Sequence, residues 1–219
     1  MSAERDYSHF LFLGDSLFEW WHSGPTYYWV SAPQMEQSDA EAAGDLSLFG
    51  KAFPSALNAG RSGWRVEQWS EAIRGEDAVL SKASRSGIHR YIVVEIGANN
   101  IHDTDPQTLV SLIVEMLNLL RGLFPHARIL LLAVFPRPIG RHFLTERIEE
   151  TNQLLRTRFA SDGTSTEDSS VTFFNINHYF YRGEEVDSHA FYSDRLHLNR
   201  HGYYLLESAI KNIIREALK

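Results

Sequence analysis

Two eight-residue stretches, Arg90–Gly97 (RYIVVEIG) and Arg128–Phe135 (RILLLAVF), are apolar at almost every position. They are too short for typical helices and lack the alternation of a strand with one wet face. Such runs read as parallel strands covered on both sides. Shorter apolar segments at His9–Gly14, Ser55–Ala59 and Val171–Ile176 bring the expected strands to five. Helical patterns lie between them. Pro106–Phe124 carries Leu109, Leu112, Ile113, Met116, Leu117 and Leu120 on one stripe, with Asp105-Pro106 as cap and first residue. Leu144, Ile148, Leu155 and Phe159 mark another helix, and His201–Leu218 the last. Strand alternating with helix predicts an α/β fold. The expected form is a three-layer α/β/α domain on a five-stranded, mostly parallel, flavodoxin-like sheet of order 2-1-3-4-5.

The pattern is that of one domain over residues 1–219, interrupted twice. Trp21–Pro54 is long for a strand-to-helix connection and reads as an insert after the first strand, rich in aromatics and then acidic, with Ser38 and Glu41 spaced as a capping box. Ser161–Ser170 is polar, low in complexity and reads as a solvated loop.

Composition narrows the chemistry. There is no cysteine, which excludes thiol catalysis, disulfides and cysteinyl zinc sites. The 21 basic and 28 acidic residues give a net charge of −7, and no cluster of Lys and Arg suits a phosphate backbone, so no nucleic-acid partner is expected. No apolar run reaches the length of a membrane span. The first apolar run is too short for a signal peptide and there is no N-x-S/T sequon, so a cytoplasmic location is the expectation.

In a sheet of this kind the working groups lie beyond the carboxyl ends of the strands. Asp15 and Ser16 follow the first strand in "FLFLGDSLFEWW", where a plain turn is the bland alternative. Gly60 follows the second, with a backbone N–H free of any side chain, and Asn99 follows the third, with an amide donor. After the fifth comes "YSDRLHLNRHGY", in which Asp194 and His197 are three apart, near enough for the carboxylate to hold the imidazole on one turn. Taken singly, these are turn formers, a helix cap and a loop histidine. Together they supply a hydroxyl, a base, a group to orient the base, and donors for a developing oxyanion.

In order and in setting, Ser16 in "GDSL", Gly60 in "NAG", Asn99 in "GANN" and His197 in "DRLH" resemble the SGNH (GDSL) hydrolase family. "VVEIGANN", "FPRP" and "YSDRLHLNRHGY" look most like esterases of the platelet-activating-factor acetylhydrolase type. The resemblance implies a serine esterase that forms an acyl-enzyme. Ser16 would be the nucleophile, His197 the base and Asp194 its orienter. The Ser16 N–H, the Gly60 N–H and the Asn99 side chain would form the oxyanion hole. It implies no metal and no organic cofactor, a small-molecule, lipid or sugar ester as substrate, short acyl groups with acetyl foremost, and a homodimer. Asn100 stands where many members have Asp. Trp20, Tyr27, Tyr28 and Trp29 follow the expected nucleophile closely enough to roof an acyl pocket, faced by the aromatic stretch Asn177–Tyr192.

Rival readings are a lipase or thioesterase acting on longer acyl chains, a binding module without activity on the same fold, and a metal hydrolase. For the last, Asp194, His197 and His201 read D-x-x-H-x-x-x-H, but no Glu lies between the histidines and no third strong ligand is evident. Nucleotide binding fails on spacing. "GDLSLFGKA" has five residues between Gly44 and Gly50 where a P-loop has four, and Ala52 replaces the hydroxyl.

Overall fold

The computed structural model describes residues 6–23, 48–140, 142–159 and 170–218. Its order is β1 (Phe10–Gly14), α1 (Ser16–Ser23), α2 (Leu48–Ala52), β2 (Leu57–Asn58), α3 (Val66–Arg74), α4 (Ala78–Ser86), β3 (Tyr91–Glu95), α5 (Pro106–Leu123), β4 (Arg128–Leu132), α6 (Phe143–Arg158), β5 (Val171–Phe174) and α7 (Arg200–Ala217). A small hairpin, β6 (Tyr181–Arg182) and β7 (Glu185–Val186), lies between β5 and α7, flanked by 3₁₀ turns at Asn177–Phe180 and Ser188–Ala190. The first five strands form one parallel sheet in the order β2-β1-β3-β4-β5. This is the predicted three-layer arrangement.

Strand periodicity explains the layers. Phe10 and Phe12 of β1, Val93 of β3, and Leu130 and Leu132 of β4 face α1, α2 and α7. Their neighbours Leu11, Leu13, Ile92, Val94, Ile129 and Leu131 face α3, α4, α5 and α6. Both faces are buried, which is why these strands carry so few polar residues. The Asp105 carboxylate accepts the Thr108 N–H at 3.0 Å, so α5 begins at the expected cap and proline.

The structure corrects several bounds. The second strand, expected over Ser55–Ala59, is only Leu57–Asn58, an edge strand paired to β1 alone, with Ser55 at φ +69. The third strand stops at Glu95, ahead of a turn in which Gly97 takes φ +113. The fourth stops at Leu132, and beyond it the amides of Asn152 and Asn177 take up the Val134 N–H and C=O instead of a neighbouring strand. The fifth ends at Phe174 rather than Ile176. The insert expected over Trp21–Pro54 begins inside α1, and its far end is core. Trp21, Phe49, Ala52 and Phe53 pack together beneath α7. Ser38 and Glu41, and most of the 161–170 loop, lie outside the described residues. Among the described residues, no helix is long and apolar enough to cross a membrane.

Candidate active site

Gly14 closes β1 tightly against β3. A Cβ there would collide with the Glu95 carbonyl oxygen and the Phe18 ring. Asp15 then turns the chain into α1. Its Oδ1 accepts the Leu17 N–H at 3.0 Å and its C=O the Glu19 N–H at 3.1 Å, so Asp15 caps the helix that starts with Ser16. The Tyr203 hydroxyl of α7 donates to Leu17 O at 2.9 Å and fixes the other side of this turn. Ser16 is thus held at a helix N-terminus, where backbone N–H groups favour negative charge.

His197 reaches Ser16 from the far end of the chain. Its Nε2 lies 2.8 Å from Ser16 Oγ and its Nδ1 2.6 Å from Asp194 Oδ2. The expected single turn around Asp194 is not helical. Asp194 Oδ1 accepts the N–H groups of Leu196 and His197, and Arg195 between them takes φ +56. One carboxylate therefore folds its own loop with one oxygen and holds the imidazole with the other. Burial works against the Asp194 charge, but the hydrogen bonds and charge of His197 outweigh it, and the pKa falls below the ordinary carboxylate value. The cap of α7 is Asn199, whose Oδ1 accepts the Gly202 N–H at 3.1 Å.

The two expected oxyanion donors lie against the residues that flank Ser16, Gly60 beside Phe18 and Glu19 and Asn99 beside Asp15, and both are occupied. The Gly60 N–H donates to Asn58 Oδ1 at 2.9 Å. Asn99 Nδ2 donates to Trp64 O at 3.0 Å and to Asp15 Oδ2 at 3.2 Å. Gly60 is also required sterically, since a Cβ would run into the backbone N of Glu19 in α1. Asn100 does other work. It is fully buried, its Oδ1 accepts the Val66 N–H at 3.1 Å and its Nδ2 donates to Glu67 at 2.9 Å, which ties down the start of α3.

Trp20 is stacked on the His197 ring, and its Nε1 donates to Ser62 Oγ at 3.0 Å. Tyr192, from the stretch expected as a facing wall, is edge-on to Trp20, with centroids 6.4 Å apart. Tyr27, Tyr28 and Trp29 lie outside the described residues. His201 is half exposed on the first turn of α7 and its nearest carboxylate is Asp187, at 4.0 Å, not Asp194. Among the described residues no group of three His, Asp or Glu side chains is arranged to hold a metal.

Two residues near the site went unnoticed in the sequence. Arg137, in "FPRP", faces both Asp15 and Asp194 with its charge, while its guanidinium donates to Ala98 O at 3.3 Å and contacts His102 Nε2 at 3.0 Å. Burial and the Arg137 charge lower the His102 pKa, which suits a neutral ring that accepts from the guanidinium. Glu95, buried next to Asp15, is the other. A cleft of about 560 Å³ lies beside the site, lined by Arg137, Asn152, Asn175, His178 and Tyr181 among others; it does not include Ser16 or His197.

The model of the GDSL-like lipase/acylhydrolase family matches residues 12–205. The chain belongs to this family. Solved structures agree on the fold of this GDSL-like acylhydrolase. A Streptococcus pneumonia protein assigned as a platelet activating factor superposes with a TM-score of 0.67 at 19% identity, covering 97% of this chain and 86% of its own. A GDSL-like lipase of Bacteroides thetaiotaomicron gives 0.63 at 17%, covering 95% and 88%. An acetyl esterase solved with acetate gives 0.56 at 12%, covering 95% and 96%. No match is found among curated proteins. Like its family, this GDSL-like protein is a carboxylic ester hydrolase.

Proposed function

We propose that the protein hydrolyses short-acyl carboxylic esters, acetyl esters foremost, through an acyl-enzyme on Ser16. The observation that carries this reading is the relay from Ser16 Oγ to His197 Nε2, 2.8 Å, and from His197 Nδ1 to Asp194 Oδ2, 2.6 Å. Ser16 Oγ attacks the ester carbonyl as its proton passes to Nε2, and Asp194 stabilises the imidazolium. His197 returns the proton to the departing alcohol. A water, deprotonated by the same nitrogen, then releases the acid and restores Ser16.

The tetrahedral intermediate carries an oxyanion, and its donors are the Ser16 and Gly60 N–H groups and Asn99 Nδ2. In the resting site the Gly60 N–H donates to the neutral amide oxygen of Asn58, and Asn99 Nδ2 donates to Trp64 O as well as to the Asp15 carboxylate; the hydrogens donated to Asn58 and Trp64 are the ones free to turn. A charged oxygen is the stronger acceptor, with hydrogen bonds roughly twice as strong, so these donors turn to it as the charge develops. Short acyl groups are favoured by the near-complete burial of Ser16 and by the Trp20 and Tyr192 rings around His197. The acetyl esterase among the structural neighbours points the same way.

The test is turnover of p-nitrophenyl esters of graded length by wild type and Ser16→Ala. Acetyl and propionyl esters are expected to exceed octanoyl, and Ser16→Ala to be folded and nearly inactive. A fluorophosphonate probe should label Ser16 alone. A preference for octanoyl would overturn the acyl assignment, and turnover by Ser16→Ala the mechanism.

A further inference from the structure

Glu95 ends β3 opposite Gly14, and its carboxyl is wholly buried. Among the described groups neither of its oxygens has a hydrogen-bond partner of full geometry; the one N–H directed at it is that of Asp15, and the adjoining group is the carboxyl of Asp15, equally buried. The seat exists because residue 14 has no side chain. A Cβ there would lie 3.3 Å from Glu95 Oε2 and collide with the Glu95 backbone.

Two ionised carboxylates side by side in such a place repel strongly, whereas a single proton between them makes a hydrogen bond. Asp15 already accepts from Leu17 N–H and Asn99 Nδ2, and it faces the charge of Arg137. Glu95 has only the Asp15 N–H and faces no cation. The proton therefore belongs to Glu95. We propose that Glu95 is a positioning residue that carries this proton and donates it to Asp15, fixing Asp15 as the strut between the Ser16 turn and the Asn99 amide.

Burial and the Asp15 charge push the Glu95 pKa well above the carboxylate range, and burial raises that of Asp15 as well. The other titratable or charged groups facing the pair are His197, Arg137 and Tyr203. The Tyr203 phenol on α7 is itself held neutral by burial and by the nearby acids, Asp194 among them. The pair titrates as a unit.

The kinetic part of this inference rests on the proposed esterase mechanism; its spectroscopic part does not. The infrared difference spectrum of wild type against Glu95→Gln at neutral pH should contain the carbonyl band of a protonated carboxyl, shifted in heavy water. Glu95→Leu has no donor and should lose about tenfold in kcat with KM unchanged. Glu95→Gln keeps one and should recover activity to within about twofold of wild type. Absence of the band overturns the proposal even if Glu95→Leu fails to fold. So does a Glu95→Gln enzyme as impaired as Glu95→Leu. A band in a protein whose Ser16→Ala variant still turns over esters would refute the serine mechanism and leave the shared proton standing.

Discussion

The indole of Trp20 lies parallel to the imidazole of His197, with ring centroids 3.7 Å apart and planes 15° apart. It lies flat against the imidazole that joins Ser16 to Asp194, and in the proposed mechanism its face stabilises the imidazolium formed as Ser16 attacks. A desolvated contact of this kind contributes about 1–2 kcal/mol. Trp20→Ala is therefore expected to lose about tenfold in kcat on p-nitrophenyl acetate, and Trp20→Phe less. The split between parameters decides its role. A rise in KM with kcat intact would make Trp20 a wall of the acyl pocket and nothing more.

Asn99 and Asn100 are adjacent in sequence but should fail in different measurements. Removal of one oxyanion donor costs on the order of 10²–10³ in kcat. Asn99→Ala should show that loss with little change in KM. Asn100→Ala removes the acceptor of the Val66 N–H and the donor to Glu67, so its cost, about 1–3 kcal/mol, should appear in urea unfolding. A larger catalytic loss at Asn100 than at Asn99 would reverse the assignment.

Stability should respond to pH with opposite signs at the two ends of the site. The folded pKa of Asp194 is depressed, so its contribution is present above the ordinary aspartate value and is lost as acid protonates the folded group. The folded pKa of Glu95 is raised, so the folded state binds a proton that the unfolded chain releases above about pH 4.3. Wild type should therefore lose stability relative to Glu95→Gln as pH climbs from that value, by up to about 1.4 kcal/mol per unit, until the folded group itself ionises. Urea unfolding of both proteins from pH 4 to 8 reads this directly. A difference that stays flat would mean Glu95 is ionised in the folded protein.

What the sequence revealed, and what it hid, follows from how each feature is encoded. β3 and β4 are legible because both faces are covered, which leaves almost every residue apolar, and α5 because one stripe faces the sheet behind a proline and an aspartate cap. β2 is shorter than its apolar stretch because it is an edge strand, and Ala56 and Ala59 on either side of it are apolar for packing against the two cores. α1 was missed because Leu17, Phe18, Trp20 and Trp21 are all buried, so no stripe sets one face apart and the aromatics read as the start of an insert. The rule that strand ends carry chemistry led to the expectation that Ser16, Asp194 and His197 meet, and their side chains do lie in one hydrogen-bonded chain. The occupied state of the Gly60 and Asn99 donors was not, since Asn58 and Trp64 reach them only after folding. Glu95 left only a faint mark, one acid inside "YIVVEIG", whose meaning depends on Gly14 and Asp15 from another strand.

The two histidines four residues apart separate serine from metal chemistry. His197 meets both Ser16 and Asp194, while His201 is half exposed and lies nearest Asp187. His197→Ala is expected to abolish turnover almost entirely. His201→Ala should stay within about twofold of wild type, since surface substitutions of this kind shift energies by about 0.5 kcal/mol or less. Prolonged treatment with EDTA should leave kcat/KM unchanged, because every step assigned to the site moves a proton between Ser16, His197 and substrate. Activity lost to EDTA and restored by a divalent cation, with comparable losses at both histidines, would replace the serine mechanism with a metal-bound one.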